Sequence, residues 1–256
     1  MSYRSVVIIS AIVAAFSAAD TVFAQATGAS PGATVKRQKS VEQPLAASAP
    51  TYIPPRRGAP ATTRRVGGAT RGWGEVQLPM VAVLAPEHTG LTIKSQPSLF
   101  WYMSDPTPIL VEVTLIEEGA VKAAVELTIS DTNRSGIFRL DLTQHGVTLK
   151  PSVEYEWSVA LILDPEERSR DIIAQGFLER VEPPAAFAAQ LATASKQELQ
   201  YLYADGGFWY DAMEAVSDLI ETDPANQAFR AQRSALLEQV RLPEVAAYDK
   251  PQGRTE

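Results

Sequence analysis

LKPSVEYEWSV, residues 149–159, carries the sharpest local signal in the β-rich region. Tyr155, Trp157 and Val159, continued by Leu161, recur at period two, so they share one face of an extended strand. Pro151 suits the turn before it. Working outward, short β-branched and aromatic runs separated by turn residues place further strands at about 79–84, 91–94, 99–103, 109–117, 123–130, 137–142 and 172–181. Alternation is clearest in the run 109–117. There Ile109, Val111, Val113 and Leu115 point one way while Leu110, Glu112, Thr114 and Ile116 point the other, the pattern of a strand with one buried face.

The spacing Leu149, Pro151, Tyr155, Trp157, Val159 resembles the corner of fibronectin type III and immunoglobulin-like sandwiches. In those folds a tyrosine opens a central strand and its hydroxyl bonds back to the backbone of the preceding loop. An ordinary antiparallel strand of some other β fold is the alternative. In both cases Tyr155 and Trp157 belong to the core, as structural corner residues and not ligand contacts.

Pro183 and Pro184 end the last strand, and the apolar period then shifts towards 3.6. Helices are expected at 186–204, 209–222 and 225–240, with Gly206 and Gly207 between the first two. Asp223 would cap the third and Pro224 would take its first turn. The stretch 207–226 resembles the second helix of a tetratricopeptide repeat, with Gly207, Ala212 and Pro224 at that repeat's small-residue and proline positions. About one and a half repeats cannot bury a core of their own. Phe208, Trp209, Met213, Val216 and Leu219 are therefore expected to pack the helical tail on the sandwich, an exposed peptide groove being the alternative. The fold class expected is mainly β with an α-helical C-terminus: an immunoglobulin/fibronectin-III-like antiparallel β-sandwich over 61–182, then a short tetratricopeptide-like tail over 183–242 and a disordered end over 243–256.

The chain opens as a secretory signal peptide, residues 1–24. Arg4 supplies the positive start, Val6 to Ala19 form a fourteen-residue apolar core too short to span a bilayer, and Val22 and Ala24 give the small-residue pattern for cleavage between Ala24 and Gln25. Export to the periplasm or beyond is expected, with no transmembrane segment after cleavage. Residues 25–60, rich in Pro, Gly, Ala, Ser and Thr without apolar periodicity, read as a disordered basic linker. Between residues 25 and 72 there are eight Lys or Arg against one acid, a net +7; from residue 73 onward 14 basic residues face 28 acidic ones, a net −14. A basic arm thus precedes an acidic body. The chain has no cysteine, which excludes disulfides, thiolate metal sites and cysteine nucleophiles.

Several short pieces in order, RRGAPATTRRVGGATRG (56–72), Leu84-Ala85-Pro86, Gly90-Leu91-Thr92, Pro97 with Phe100-Trp101-Tyr102, Tyr155 with Trp157, and Gly176 with Arg180-Val181, resemble a family of exported bacterial proteins known as domain of unknown function 928. The resemblance implies export and an unassigned function. It also leads one to expect cysteines near Gly74 and at Leu163, which this chain lacks, so redox or metal chemistry at those positions is untenable here.

Among groups that could carry chemistry, the Arg-Gly lead-in stands first. Arg57, Arg64, Arg65 and Arg71 offer forked donors for phosphate or sulfate beside glycines that let backbone approach; pairing with acids of the sandwich is the competing reading. No P-loop is present, since no Lys-Ser/Thr follows. Asp164, Glu166, Glu167 and Asp171 cluster near a strand end and could serve acid and base roles in glycoside cleavage only if suitably spaced. His88 and His145 lie in separate turns and read as surface residues, and no Gly-x-Ser-x-Gly occurs. These observations point to no catalytic, cofactor-binding or metal-ligating residues and no cofactor. The expected function is an exported non-enzymatic interaction or scaffold protein of the cell envelope, with an exported or membrane-anchored protein or an anionic envelope polymer as partner and no nucleic acid. A carbohydrate- or peptidoglycan-acting hydrolase and peptide binding by the helices are the alternatives.

Overall fold

The computed structural model describes residues 48–56, 64–67 and 78–250 of the 256-residue chain. Nine strands form two sheets. The first has the order β1 (Val66–Gly67), β2 (Val81–Val83), β4 (Ser98–Met103), β7 (Gly136–Asp141), all antiparallel. The second has the order β3 (Gly90–Thr92), β9 (Ile172–Arg180), β8 (Glu154–Ile162), β5 (Leu110–Glu117), β6 (Val125–Ile129), antiparallel except for the parallel pair β3–β9. All eight strand runs read from the sequence are present; β1, only two residues long, was not among them. The chain is mainly β with a helical C-terminus, as expected.

The alternation in β5 is realised in burial: Val111, Val113 and Leu115 are fully buried, whereas Leu110 is exposed. In β8 the face carrying Tyr155, Trp157, Val159 and Leu161 is buried likewise. The Tyr155 hydroxyl accepts from the Lys150 amide of the preceding loop at 3.1 Å. Gly176 lets the sheets approach: a Cβ there would lie 2.7 Å from the Ala85 Cβ and 3.2 Å from Trp157 Nε1.

Strand β4, SLFWYM, is buried at all six positions. A strand covered on both faces has no solvent side to mark with polar residues, which is why its sequence runs apolar without alternating. Leu99, Trp101 and Met103 enter the sandwich core, and the helices cover the other face.

Five helices follow: α1 (Ala185–Thr193), α2 (Lys196–Asp205), α3 (Trp209–Thr222), α4 (Gln227–Gln239) and α5 (Pro243–Asp249). The expected helix 186–204 is broken in two at Ser195, because Ser195 and Glu198 form a capping box that starts a new helix. Helix α4 begins at Gln227 and not at 225; Asn226, whose side chain accepts from the Ala228 amide, caps it in place of Asp223.

Two further expectations are corrected. The end of the chain is helical from Pro243 to Asp249, since Asp249 is fully buried in an ion pair with Arg233 of α4. The linker 25–60 is not disordered throughout: residues 48–56 pack on the folded body, and Tyr52 is only 7% exposed. Its composition is that of a loop, but Tyr52 supplies an apolar anchor and the backbone finds partners on the helices.

Helix α3 docks the tail, as expected from Phe208, Trp209, Met213, Val216 and Leu219, all buried. Trp209 Nε1 donates to the Leu84 carbonyl, and the Tyr210 hydroxyl accepts from Trp157 Nε1 while donating to the Phe177 carbonyl. One continuous apolar core therefore runs from the sandwich into the helices. Gly90 is required here, since a Cβ at that position would lie 2.6 Å from the Tyr210 ring.

Candidate partner-binding groove

The segment 48–56, SAPTYIPPR, crosses the helical tail without regular secondary structure. Its backbone carries the contacts. Gln239, the last residue of α4, clamps it with both ends of its carboxamide: Oε1 accepts from the Tyr52 amide at 2.7 Å and Nε2 donates to the Pro50 carbonyl at 2.8 Å. The Ile53 amide donates to the Ala204 carbonyl of α2 at 3.0 Å, and the Tyr201 hydroxyl donates to the Ser48 carbonyl at 2.8 Å. Gly207, at φ 78°, closes the turn between α2 and α3, and a Cβ there would lie 2.9 Å from the Ile53 carbonyl oxygen. Only glycine meets both requirements. The repeat-like glycine read from the sequence therefore has a second use, making room for the strap.

Tyr52 is the side-chain anchor. Its ring meets Trp209 edge-on at 5.0 Å and stacks at 5.9 Å on His88, and its hydroxyl lies 2.9 Å from His88 Nε2. Burial pushes the Tyr52 phenol above its ordinary range. Burial, then the neighbouring Arg65 charge, lowers His88. Both shifts favour the neutral forms, and the phenol and the imidazole share one hydrogen bond. His88 is an anchor partner, a role its turn sequence APEHTG did not reveal.

Arg65 fastens the rim. Nη1 donates to the Ala85 carbonyl at 3.1 Å and the Val240 carbonyl at 2.6 Å, and Nη2 pairs with Glu87 at 3.0 Å. Its fork is turned onto the protein itself, joining the loop after β2 to the end of α4. Arg64 is exposed, and its backbone carbonyl accepts from the Gln175 amide of β9. Gly67 is buried where a Cβ would lie 2.8 Å from Ile172 and 3.0 Å from the Ile173 carbonyl oxygen, so this glycine serves close passage beside β9. Arg57, Arg71 and the junction of Ala24 with Gln25 lie outside the described residues.

The loop carboxylates are engaged locally. Asp164 accepts from the Glu166 amide, Glu167 pairs with Arg170, and Asp171 pairs with Arg168, which also reaches Glu112. Among the described residues no group of three His, Asp or Glu side chains could hold a metal ion, and no helix is long and apolar enough to cross a membrane. His145 follows β7 at the end of a 3-10 turn.

Comparison with known proteins adds the family and little else. No curated protein matches the chain. Among solved structures, astrotactin-2, described as a conserved vertebrate-specific, perforin-like membrane protein involved in neuronal development, aligns at 12% identity with a TM-score of 0.27. The alignment covers 71% of this chain and 38% of that one, and a likeness so slight says nothing about function. The family model Domain of Unknown Function (DUF928) matches residues 66–249. That span runs from β1 to the last residue of α5, and the chain belongs to this family.

Proposed function

We propose that the protein is an exported, non-enzymatic interaction module of the cell envelope, released from its leader by cleavage between Ala24 and Gln25. The observation that carries this reading is the groove on the helical tail, which holds an extended segment through four main-chain contacts and one aromatic anchor. Such a surface reads backbone for affinity and a side chain for selection, the division of labour found in peptide-recognition modules. The basic residues between 25 and 72, set against the acidic body, add charge through which an anionic envelope polymer or an acidic exported protein is attracted.

The test is photo-crosslinking in cells that make the protein, with the photoreactive residue placed in turn at the exposed apolar positions Leu110 and Val121 of the sandwich and Ile53 of the strap. A defined adduct with one exported protein or envelope polymer is expected from at least one position. Absence of an adduct from all three contradicts the proposal. So does turnover of a glycan or peptidoglycan substrate that Asp164→Asn abolishes.

A further inference from the structure

The contacts made by residues 48–56 have the character of a bound peptide. Four of them, at the Ser48 and Pro50 carbonyls and the Tyr52 and Ile53 amides, are read from the main chain and would accept other side chains. The Gln239 carboxamide imitates a neighbouring strand by satisfying an acceptor and a donor two residues apart. Pro54 and Pro55 follow the last amide that the groove reads, so they bring no unsatisfied N–H and restrict the segment to extended backbone before it binds. Two residues of the segment are buried, Pro50 and Tyr52, and the Tyr52 ring is enclosed between Trp209 and His88. Beside it a cavity of about 220 Å³, lined by Tyr52, Pro54, His88 and Gln239 among others, is left open.

We infer that this groove is a binding site for extended polypeptide segments of the form Tyr-x-Pro-Pro, and that residues 48–56 are its resident occupant in cis. The inference deepens the interaction-module reading and rests on it: it names the ligand class and the reason the free chain does not display the site. A segment on a short tether is present at an effective concentration on the order of millimolar. An incoming partner must therefore outcompete it, which makes the strap an autoinhibitory element.

The experiment uses the full chain carrying Tyr52→Ala, which removes the anchor of the strap, and separately Ile53→Pro, which removes the amide donated to Ala204 while leaving every groove residue in place. A fluorescent peptide of residues 46–58, AASAPTYIPPRRG, is titrated in, with anisotropy as readout and circular dichroism as the folding control. Saturable binding at least tenfold tighter to either variant than to the unaltered chain is expected, lost when the tyrosine of the peptide is replaced by alanine. A folded variant that binds no peptide, or binds the alanine peptide equally well, overturns the inference. Unfolding of both variants also overturns it, because the strap is then part of the core and not an occupant. Cross-linked adducts from Leu110 or Val121 without peptide binding would leave the interaction module standing and remove only the groove.

Discussion

Asp211, in the first turn of α3, has no exposed surface. Its Oδ2 accepts from the Ile93 amide at 3.0 Å, while Oδ1 has no hydrogen-bond partner among the described residues. Burial dominates its electrostatics and pushes its carboxyl up to about 7, against the opposing help of the Ile93 amide and Lys94. The unfolded carboxylate titrates near about 3.9, so between about pH 4 and pH 7 the folded chain holds a proton that the unfolded chain releases. Stability from this group is complete at the acid end of that window and falls as pH rises through it, by an amount on the order of 4 kcal/mol. Asp211→Asn keeps an acceptor for Ile93 and cannot ionise. Urea midpoints of this variant should exceed those of the unaltered chain at pH 8 and converge with them towards pH 4. A gap that stays constant over that range would contradict the assignment.

At the scale of the element, α5 shows how a short helix is held. Arg233 donates to both Asp249 oxygens and to Ser217 of α3, and Arg230 lies 3.6 Å from the same carboxylate. Removing one partner of a buried pair leaves an uncompensated charge, at a cost of about 3–5 kcal/mol. Asp249→Ala should therefore lower the unfolding free energy by about 3 kcal/mol and expose the amides of α5 to exchange. A change below about 1 kcal/mol would show that α5 is held by its apolar contacts alone. At the start of α2, Ser195→Ala removes one half of the capping box and should cost about 1 kcal/mol, read from the denaturation midpoint.

These elements also show what could be read from the sequence. Strands β5 to β9 were legible from period-two alternation and β2 to β4 from short apolar runs bounded by turn residues, all local signals, and the docking face of α3 was legible from its apolar spacing. The break at Ser195 had its own local mark, Ser-x-x-Glu, hidden within an apolar run. Helix α5 had no comparable signal: seven residues held through Asp249 by two arginines of α4, Arg230 and Arg233, depend on tertiary context. The same holds for the strap. Nothing local distinguishes Tyr52 from a loop tyrosine, and its partners Gln239 and Trp209 lie far along the chain.

Across the whole molecule α3 is the element that meets both sheets, packing on β4 of the four-stranded sheet and on β3 of the five-stranded one. Arg139 of β7 ties the four-stranded sheet to α3 through Glu214, Asp218 and Glu221. Tyr210 and Trp157 join the tail to the five-stranded sheet through a buried hydrogen bond. The strap lies on the helices, so residues before the sandwich and residues after it meet at one site. The Arg-Gly lead-in suggested in sequence an anion site; in the fold Arg65 fastens that meeting point by donating to Val240 and Ala85. The proposed groove was thus illegible because it is assembled from segments on either side of the sandwich.

Everything proposed for the groove depends on the strap being seated there in solution. Residue-resolved hydrogen exchange of the full chain tests that seating at the amides of Tyr52 and Ile53, which donate to Gln239 and Ala204. Both amides should exchange at least tenfold more slowly than an unstructured chain, and Gln239→Ala should release the Tyr52 amide while the β8 amides stay protected. Exchange of both amides at the rate of an unstructured chain, in the unaltered protein, would contradict the account.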